Sequence, residues 1–293
     1  MHERLSRTCQ DIVGSSYKIV LVNDGSRDDT LAHIRTLVES DPHIIGVNLS
    51  RNHGHQLALS AGLPICSGQR ILIIDADLQD PPELLGKMMA ELDGGADVAY
   101  GKRISRAGET TFKKMTAAAF YRMLARLSET RLPVDTGDFR LISRRALNVL
   151  ISMPEQHRFI RGMVSWIGFR QVPVEYERSE RFAGETKYTL GKMVRFAIDA
   201  ITGFSILPLR LSTWVGVGMG LLSLAFMIWT LLEWANGSTI RGWTSLMTVV
   251  LVLGSVQLLV LGIMGEYLGR LYIQSKARPL FIISDIYRNK RQM

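Results

Sequence analysis

Between Leu211 and Leu232 the chain runs for 22 residues without a charge, and a second charge-free stretch of 24 residues runs from Gly242 to Gly265. An α-helix of about 20 apolar residues crosses the hydrocarbon core of a bilayer, so each stretch is long enough to span one. The short connection, Glu233–Arg241, contains Asn236-Gly237, a turn pair, so the two stretches read as a helical hairpin. Lys and Arg give the hairpin a direction. Six lie between Arg178 and Arg210, six between Arg270 and Arg291, and one, Arg241, in the connection. By the positive-inside bias both flanks sit in the cytoplasm and the tip outside, which makes this a multi-pass protein of the cell inner (plasma) membrane. Gly216 and Gly220 have the small-xxx-small spacing that lets helices approach closely, so a homo-oligomer is an expectation of the spans. The formal charge of the 293-residue chain is +8. Its basic residues cluster beside the spans, where anionic headgroups lie, which favours a membrane partner over nucleic acid. Two cysteines, Cys9 and Cys66, make neither a disulfide framework nor a metal spacing.

The segments before the spans alternate strand and helix. Apolar, β-branched runs at Tyr17–Asn23, Ile44–Leu49 and Ile71–Ile74, then Asp97–Gly101, read as strands, with helices expected from about Asp29 to Val38, Gly54 to Leu63 and Pro82 to Leu92. Short connections between alternating elements indicate an α/β domain with a mainly parallel sheet. A helix over Phe112–Leu127, a polar turn from Asp135 leading into a strand, helices over Ser143–Leu150 and Phe159–Ile167 and a strand over Gln171–Tyr176 come next. The expected division is residues 1–190 as the α/β domain, 191–210 as an amphipathic helix in the headgroup layer, spans over 211–233 and 242–265, and a basic cytoplasmic tail over 266–293.

Chemistry concentrates where the third strand ends. Side chains alternate along a strand, so Asp75 and Asp77 of Asp75-Ala76-Asp77 point the same way at its carboxyl end, the edge where open α/β sheets bind ligands. Two neighbouring carboxylates repel, and a hard divalent cation, Mg2+ or Mn2+, relieves that repulsion and recruits substrate phosphates as further ligands. Asp24 falls at the end of the first strand and so on the same rim. His53 and His55 flank Gly54 near a strand end and read as a loop-surface pair rather than as ligands.

Four stretches together resemble the motifs of family 2 glycosyltransferases, in the subgroup of polyprenyl-phosphate glycosyltransferases: Val22-Asn23-Asp24-Gly25-Ser26, Asp75-Ala76-Asp77-Leu78-Gln79-Asp80-Pro81-Pro82-Glu83, Thr136-Gly137-Asp138-Phe139-Arg140, and Arg178-x-x-Arg181-x-x-Gly184-x-x-Lys187-Tyr188. The segment Gly265–Tyr272 with Lys276-x-Arg278-Pro279 is similar to the stretch after the last span in that subgroup. The resemblance implies a GT-A fold and inverting transfer of a sugar from a nucleotide sugar, usually UDP-linked, to a polyprenyl phosphate such as undecaprenyl phosphate. Carried over by position, it gives Asp24 a nucleoside contact, Asp75 a place near the ribose or metal, Asp77 the metal itself, and Asp138 a place beside the acceptor. Arg178, Arg181 and Lys187 become a basic loop near the phosphates.

The chemistry of the residues agrees. Negative charge develops on a departing nucleoside diphosphate, which a metal and forked Arg donors stabilise. A phosphate acceptor, with a second pKa of ~6, is already mostly ionised at neutral pH. Asp138 is therefore expected to orient or assist rather than to act as an obligatory base. Family members open on an apolar strand that this sequence does not display ahead of Met1-His2-Glu3-Arg4-Leu5, which reads as the inside of the first helix after that strand. Two other readings compete. A processive polysaccharide synthase would want more spans and a Gln-x-x-Arg-Trp element, which Gln156-His157-Arg158-Phe159 does not supply; a non-catalytic membrane scaffold would keep the fold without binding nucleotide.

Overall fold

The structure, a computed structural model, describes residues 1–104, 136–177, 207–236 and 242–289. These fall into two compact units, one built from residues 1–104, 136–177 and 278–289, the other from 207–236 and 242–277. The expected helix over Phe112–Leu127, the basic loop of Arg178, Arg181 and Lys187, and most of the expected amphipathic segment lie outside the described residues.

The first unit opens with α1 (His2–Val13), β1 (Ile19–Asn23), α2 (Thr30–Ser40) and β2 (Ile44–Leu49). β1 and β2 run parallel, Ile19 opposite Ile44 and Asn23 opposite Asn48. Period-two alternation divides β2 between two layers. Ile45, Val47 and Leu49 pack with Ala61 of α3 (His55–Gly62) on one face, and Ile44 packs with Ile34 and Val38 of α2 on the other. The contacts are close because glycines permit it: a Cβ on Gly46 would stand 2.7 Å from Ile34 Cγ2, and one on Gly62 2.9 Å from Val22 Cγ2.

The remaining strands are β3 (Arg70–Ile73), β4 (Val98–Arg103), β5 (Thr136–Ser143) and β6 (Gln171–Tyr176), with α4 (Leu85–Asp93), α5 (Arg144–Ser152) and α6 (Ile160–Trp166) between or after them. Their order is β3-β5-β4-β6. Leu84, Leu85, Met88 and Leu92 at and along α4 join Leu5 and Cys9 of α1 over Phe139, Leu141, Val174 and Tyr176. This is the larger core, and it lies beneath the sheet that carries the third-strand carboxylates. Ser143 caps α5, its hydroxyl accepting from Ala146 N.

The mainly parallel sheet expected from the alternation is in fact mixed and divided in two. β4/β6 and β1/β2 are parallel, whereas β5 is antiparallel to both β3 and β4. Parallel pairing arises where a helix makes the crossover; β5 arrives after a long connection and enters reversed. β1 is an edge strand of one sheet and β3 of the other.

The second unit consists of α7 (Leu207–Ala235) and α8 (Trp243–Ser275), which carry candidate spans at Leu207–Thr230 and Thr248–Ser275. Large apolar side chains stand exposed along both, among them Leu221, Leu222, Leu258 and Leu259. They are thus not core helices of a soluble domain. After α8 the chain returns to the first unit, where β7 (Ile283–Arg288) pairs antiparallel with β2, Val47 opposite Ile286. Within the expected basic tail over 266–293, the start continues α8 and the later part closes the sheet as β2's second neighbour. Arg35 of α2 donates to the Tyr287 hydroxyl at 2.6 Å and lies over its ring.

Candidate active site

Parallel β1 and β2 end at one rim, and the chain there is fastened by Asp24. Its carboxylate accepts from His53 N at 2.7 Å and Gly54 N at 2.9 Å. The bend this requires puts Gly54 at φ +94°, a conformation open to glycine. Asn23 donates to Asn48 Oδ1 at 2.8 Å across the strand ends. Asp24 thus fixes the turn from which α3 starts, and α3 presents His55 and Gln56 in its first turn.

β5 brings Asp138 to the same place. The β3–β5 ladder ends on the pair Ile73–Arg140, so Asp75, two residues past Ile73, and Asp138, two residues before Arg140, both lie just beyond that end. His55 links the two: its Nε2 is 3.1 Å from Asp138 Oδ2 and 3.7 Å from Asp75 Oδ1. Gln56 donates through Nε2 to Asp138 Oδ2 at 2.9 Å, while its Oε1 accepts from Ile160 N at 2.8 Å, which ties α3 to β5 and to the start of α6. Arg140 and Arg161 each stand 3.8 Å from the other carboxylate oxygen, Asp138 Oδ1. That oxygen is buried without a hydrogen-bond partner, as are His53 Nε2 and Arg161 Nε. Asp138 Oδ1 and Arg161 thus face one another with hydrogen-bonding capacity to spare.

Electrostatics separates the carboxylates. Burial works to raise the pKa of Asp138, but the hydrogen bond to His55 and the charges of Arg161 and Arg140 outweigh it and hold the group well below the usual carboxylate range. His55 is raised, mainly by that hydrogen bond, then by the charges of Asp75, Asp138 and Asp24, against the lowering effect of burial. Asp75 is raised: burial comes first, with Asp138, Asp80 and Asp77 adding like-charge repulsion that His55 only partly offsets. Asp77 sits in the turn after β3, where its Oδ1 accepts from Gln79 N at 3.2 Å.

The structure therefore gathers Asp24, Asp75, Asp77 and Asp138 from separate stretches, while Arg178, Arg181 and Lys187 lie outside the described residues. Of the expected loop-surface pair, His55 is indeed on the surface, its side chain 55% exposed, but it also bridges two of the acids, and His53 holds Asp24 through its backbone N–H. Gln56, Arg140 and Arg161 join the site without having been expected there from the sequence. Their signal is faint: Arg140 stands inside the Thr136–Arg140 motif, and Arg161 among the basic residues opening an apolar helix. Hard oxygen donors and a carboxylate whose charge is disfavoured suit a divalent cation. Among the described residues, though, no group of three or more His, Cys, Asp or Glu side chains could hold one by itself. Phosphate and water oxygens would have to complete its shell.

Residues 3–151 match the model of glycosyl transferase family 2, and residues 207–271 match the model of the GtrB C-terminal hairpin. The chain is 44% identical to a protein of Bacillus subtilis (strain 168) named as the uncharacterized glycosyltransferase YkcC, over 99% of this chain and 92% of that one. It is 37% identical to the prophage bactoprenol glucosyl transferase homolog of Escherichia coli (strain K12), over 96% of this chain and 92% of the other. The bactoprenol glucosyl transferase of Shigella phage SfV is 38% identical over 95% and 91%. With its α/β unit matched to the family model and near full-length similarity at these identities, the chain belongs to glycosyltransferase family 2.

Proposed function

We propose that this chain transfers a sugar from a UDP-linked nucleotide sugar to a polyprenyl phosphate, undecaprenyl phosphate, at the cytoplasmic face of the membrane, with inversion at the anomeric carbon. The observation that carries the reading is the contrast across one rim. Asp138 is held ionised and hydrogen-bonded, while Asp75 is raised by burial and by its acidic neighbours. The first suits a group that orients a nucleophile, the second a cation with its diphosphate. Two relatives named for bactoprenol glucosyl transfer, and a match to the GtrB hairpin, support a lipid acceptor.

In this reading the bond from the anomeric carbon to the diphosphate oxygen breaks, the nucleoside diphosphate leaves with the electron pair, and an oxygen of the lipid phosphate makes the new bond. Asp75 and Asp77 would hold Mg2+ or Mn2+, which when bound supplies stabilisation of the charge on the departing diphosphate. Asp24 keeps lone pairs beyond those taken by His53 N and Gly54 N for a nucleoside contact. Asp138, kept as a carboxylate by His55 and Gln56, orients the acceptor, and Arg161, with an unpaired Nε, faces its phosphate. Arg178, Arg181 and Lys187 would grip the phosphates from the basic loop. The orientation is supported by connectivity. The chain leaves the α/β unit before α7 and returns to it as β7, so a membrane hairpin between them must cross an even number of times.

The test is release of UDP from a panel of UDP-sugars by membranes containing the protein, with undecaprenyl phosphate and Mg2+ or Mn2+, and mass spectrometry of the lipid. The expected result is one sugar per lipid phosphate, release that depends on the lipid, and loss of release in Asp77→Ala. A polymeric product, or absence of release from folded protein with every donor, would overturn the proposal.

A further inference from the structure

The turn that carries Asp77 is held in a conformation its own residues do not favour. Leu78 has φ +62°, in the left-handed region where a residue with a side chain is strained. Only two non-glycine residues among those described have positive φ, and the other, Ala277, lies just past the end of α8. A strained leucine persists only where its surroundings over-determine it. Two residues on stands Asp80, whose side chain is 1% exposed. The Tyr176 hydroxyl donates to Asp80 Oδ1, and Arg103 Nη2 stands 3.9 Å from the same oxygen. Arg103 Nε also donates to the Tyr176 oxygen at 3.3 Å, and the two residues are register partners across β4 and β6.

The surrounding strands leave room for this arrangement. A Cβ on Gly101 would come within 2.8 Å of Tyr176 Cε1, and one on Gly137 within 2.7 Å of Arg103 Nη2. Either side chain would push a member of the group out of place. Tyr176 is also the last residue of β6, two positions before Arg178 in the sequence.

We propose that Asp80, gripped by Tyr176 and Arg103, is a positioning residue: it keeps Leu78 in its left-handed conformation and so aims Asp77 into the site. The proposal rests on the reading of Asp77 as a cation ligand. Removing the tyrosine hydroxyl leaves a buried carboxylate oxygen without its donor, and the turn relaxes toward ordinary backbone angles.

The experiment measures Mn2+ binding by electron paramagnetic resonance, with UDP present, on the full chain in detergent. The variants are Tyr176→Phe, Tyr176→Phe with Leu78→Gly, and Asp77→Ala. Loss of a group that orients a metal ligand typically weakens metal affinity by about 10- to 100-fold, and Tyr176→Phe is expected in that range. Glycine adopts positive φ without strain, so Leu78→Gly is expected to restore most of the Mn2+ affinity in the Tyr176→Phe background. A purely structural loss would not be repaired there. Wild-type affinity in Tyr176→Phe, or no recovery in the double variant, overturns the positioning role while Asp77→Ala still abolishes binding. If the wild-type protein binds no Mn2+ with UDP, the cation reading of Asp77 falls as well.

Discussion

Asp75 and Asp138 both lie just beyond the end of the β3–β5 ladder, yet the protein treats them in opposite ways. Around Asp138 it assembles His55, Gln56, Arg140 and Arg161, and the carboxylate stays charged even though it is nearly buried. Around Asp75 it assembles more acids, and a single histidine at 3.7 Å only partly compensates. The difference teaches which acid the fold keeps charged by itself and which it leaves for a cation. A carboxylate with cationic and amide neighbours holds its charge; one whose charge is disfavoured by its surroundings gains most from a cation.

The sharpest way to break this comparison is to remove the ligand-seeking side. Asp77→Ala is expected to lower lipid-dependent sugar transfer by about 10²–10³-fold or more, the scale of losing one electrostatic stabiliser of the developing charge, with chelation by EDTA giving the same loss in the wild type. If the variant keeps its rate, no cation is held there. A smaller effect is expected at Asp138. Asp138→Asn keeps the shape and one acceptor, and a drop of about tenfold, short of the 10²–10⁴-fold typical of a lost general base, would fit orientation. The pH profile checks the same point, since an acid held ionised far below its usual pKa contributes no inflection to kcat between pH 5 and 8. Asp24→Asn is expected to weaken the fold of the turn together with the proposed nucleoside contact. It exchanges one of two acceptors for an amide donor facing Gly54 N, which is expected to cost about 2 kcal/mol, read as a denaturant midpoint shift.

The smallest effect is the pH dependence of stability contributed by His55. Its folded pKa lies above its unfolded value, so its contribution is complete below about pH 6.5 and is lost as pH rises through the folded pKa. A wild-type Tm that declines between pH 6 and 9, with a flatter decline in His55→Gln, is the expected signature. The half-exposed imidazole limits the difference to about 1–2 °C. Asp138 acts with the opposite sign: its contribution is present above the ordinary carboxylate pKa and fades only as acid approaches its depressed value.

How much of this is written plainly in the sequence depends on the range of the interactions concerned. The β-branched runs of β1 and β2, the apolar run of β3 and the two charge-free helices announce themselves, because burial in a sheet or in lipid constrains composition locally. The pairing directions do not. β5 and β7 are antiparallel to their neighbours for reasons of long-range connection, and nothing within Thr136–Ser143 or Ile283–Arg288 states which way either runs. β7 reads as tail because only Ile283 and Tyr287 interrupt its exposed face. The acids of the site are legible as strand-end carboxylates and as motif residues. The residues that tune them, His55 and Gln56 above all, are not, since a histidine at a helix start looks the same whether it faces water or two aspartates.

The pairing of β7 with β2 bears on how the molecule is made. Translation proceeds from the amino end, so β1 and β2 emerge long before β7, and the apolar hairpin is synthesised in between. The sheet edge at β2 stays open until the two spans have left the ribosome, and an open edge is a hazard for a nascent chain. Completion of the catalytic unit is thereby placed after synthesis of the membrane anchor. Truncation beyond α8 would yield a chain that carries every acid of the site yet lacks the strand that seals its sheet.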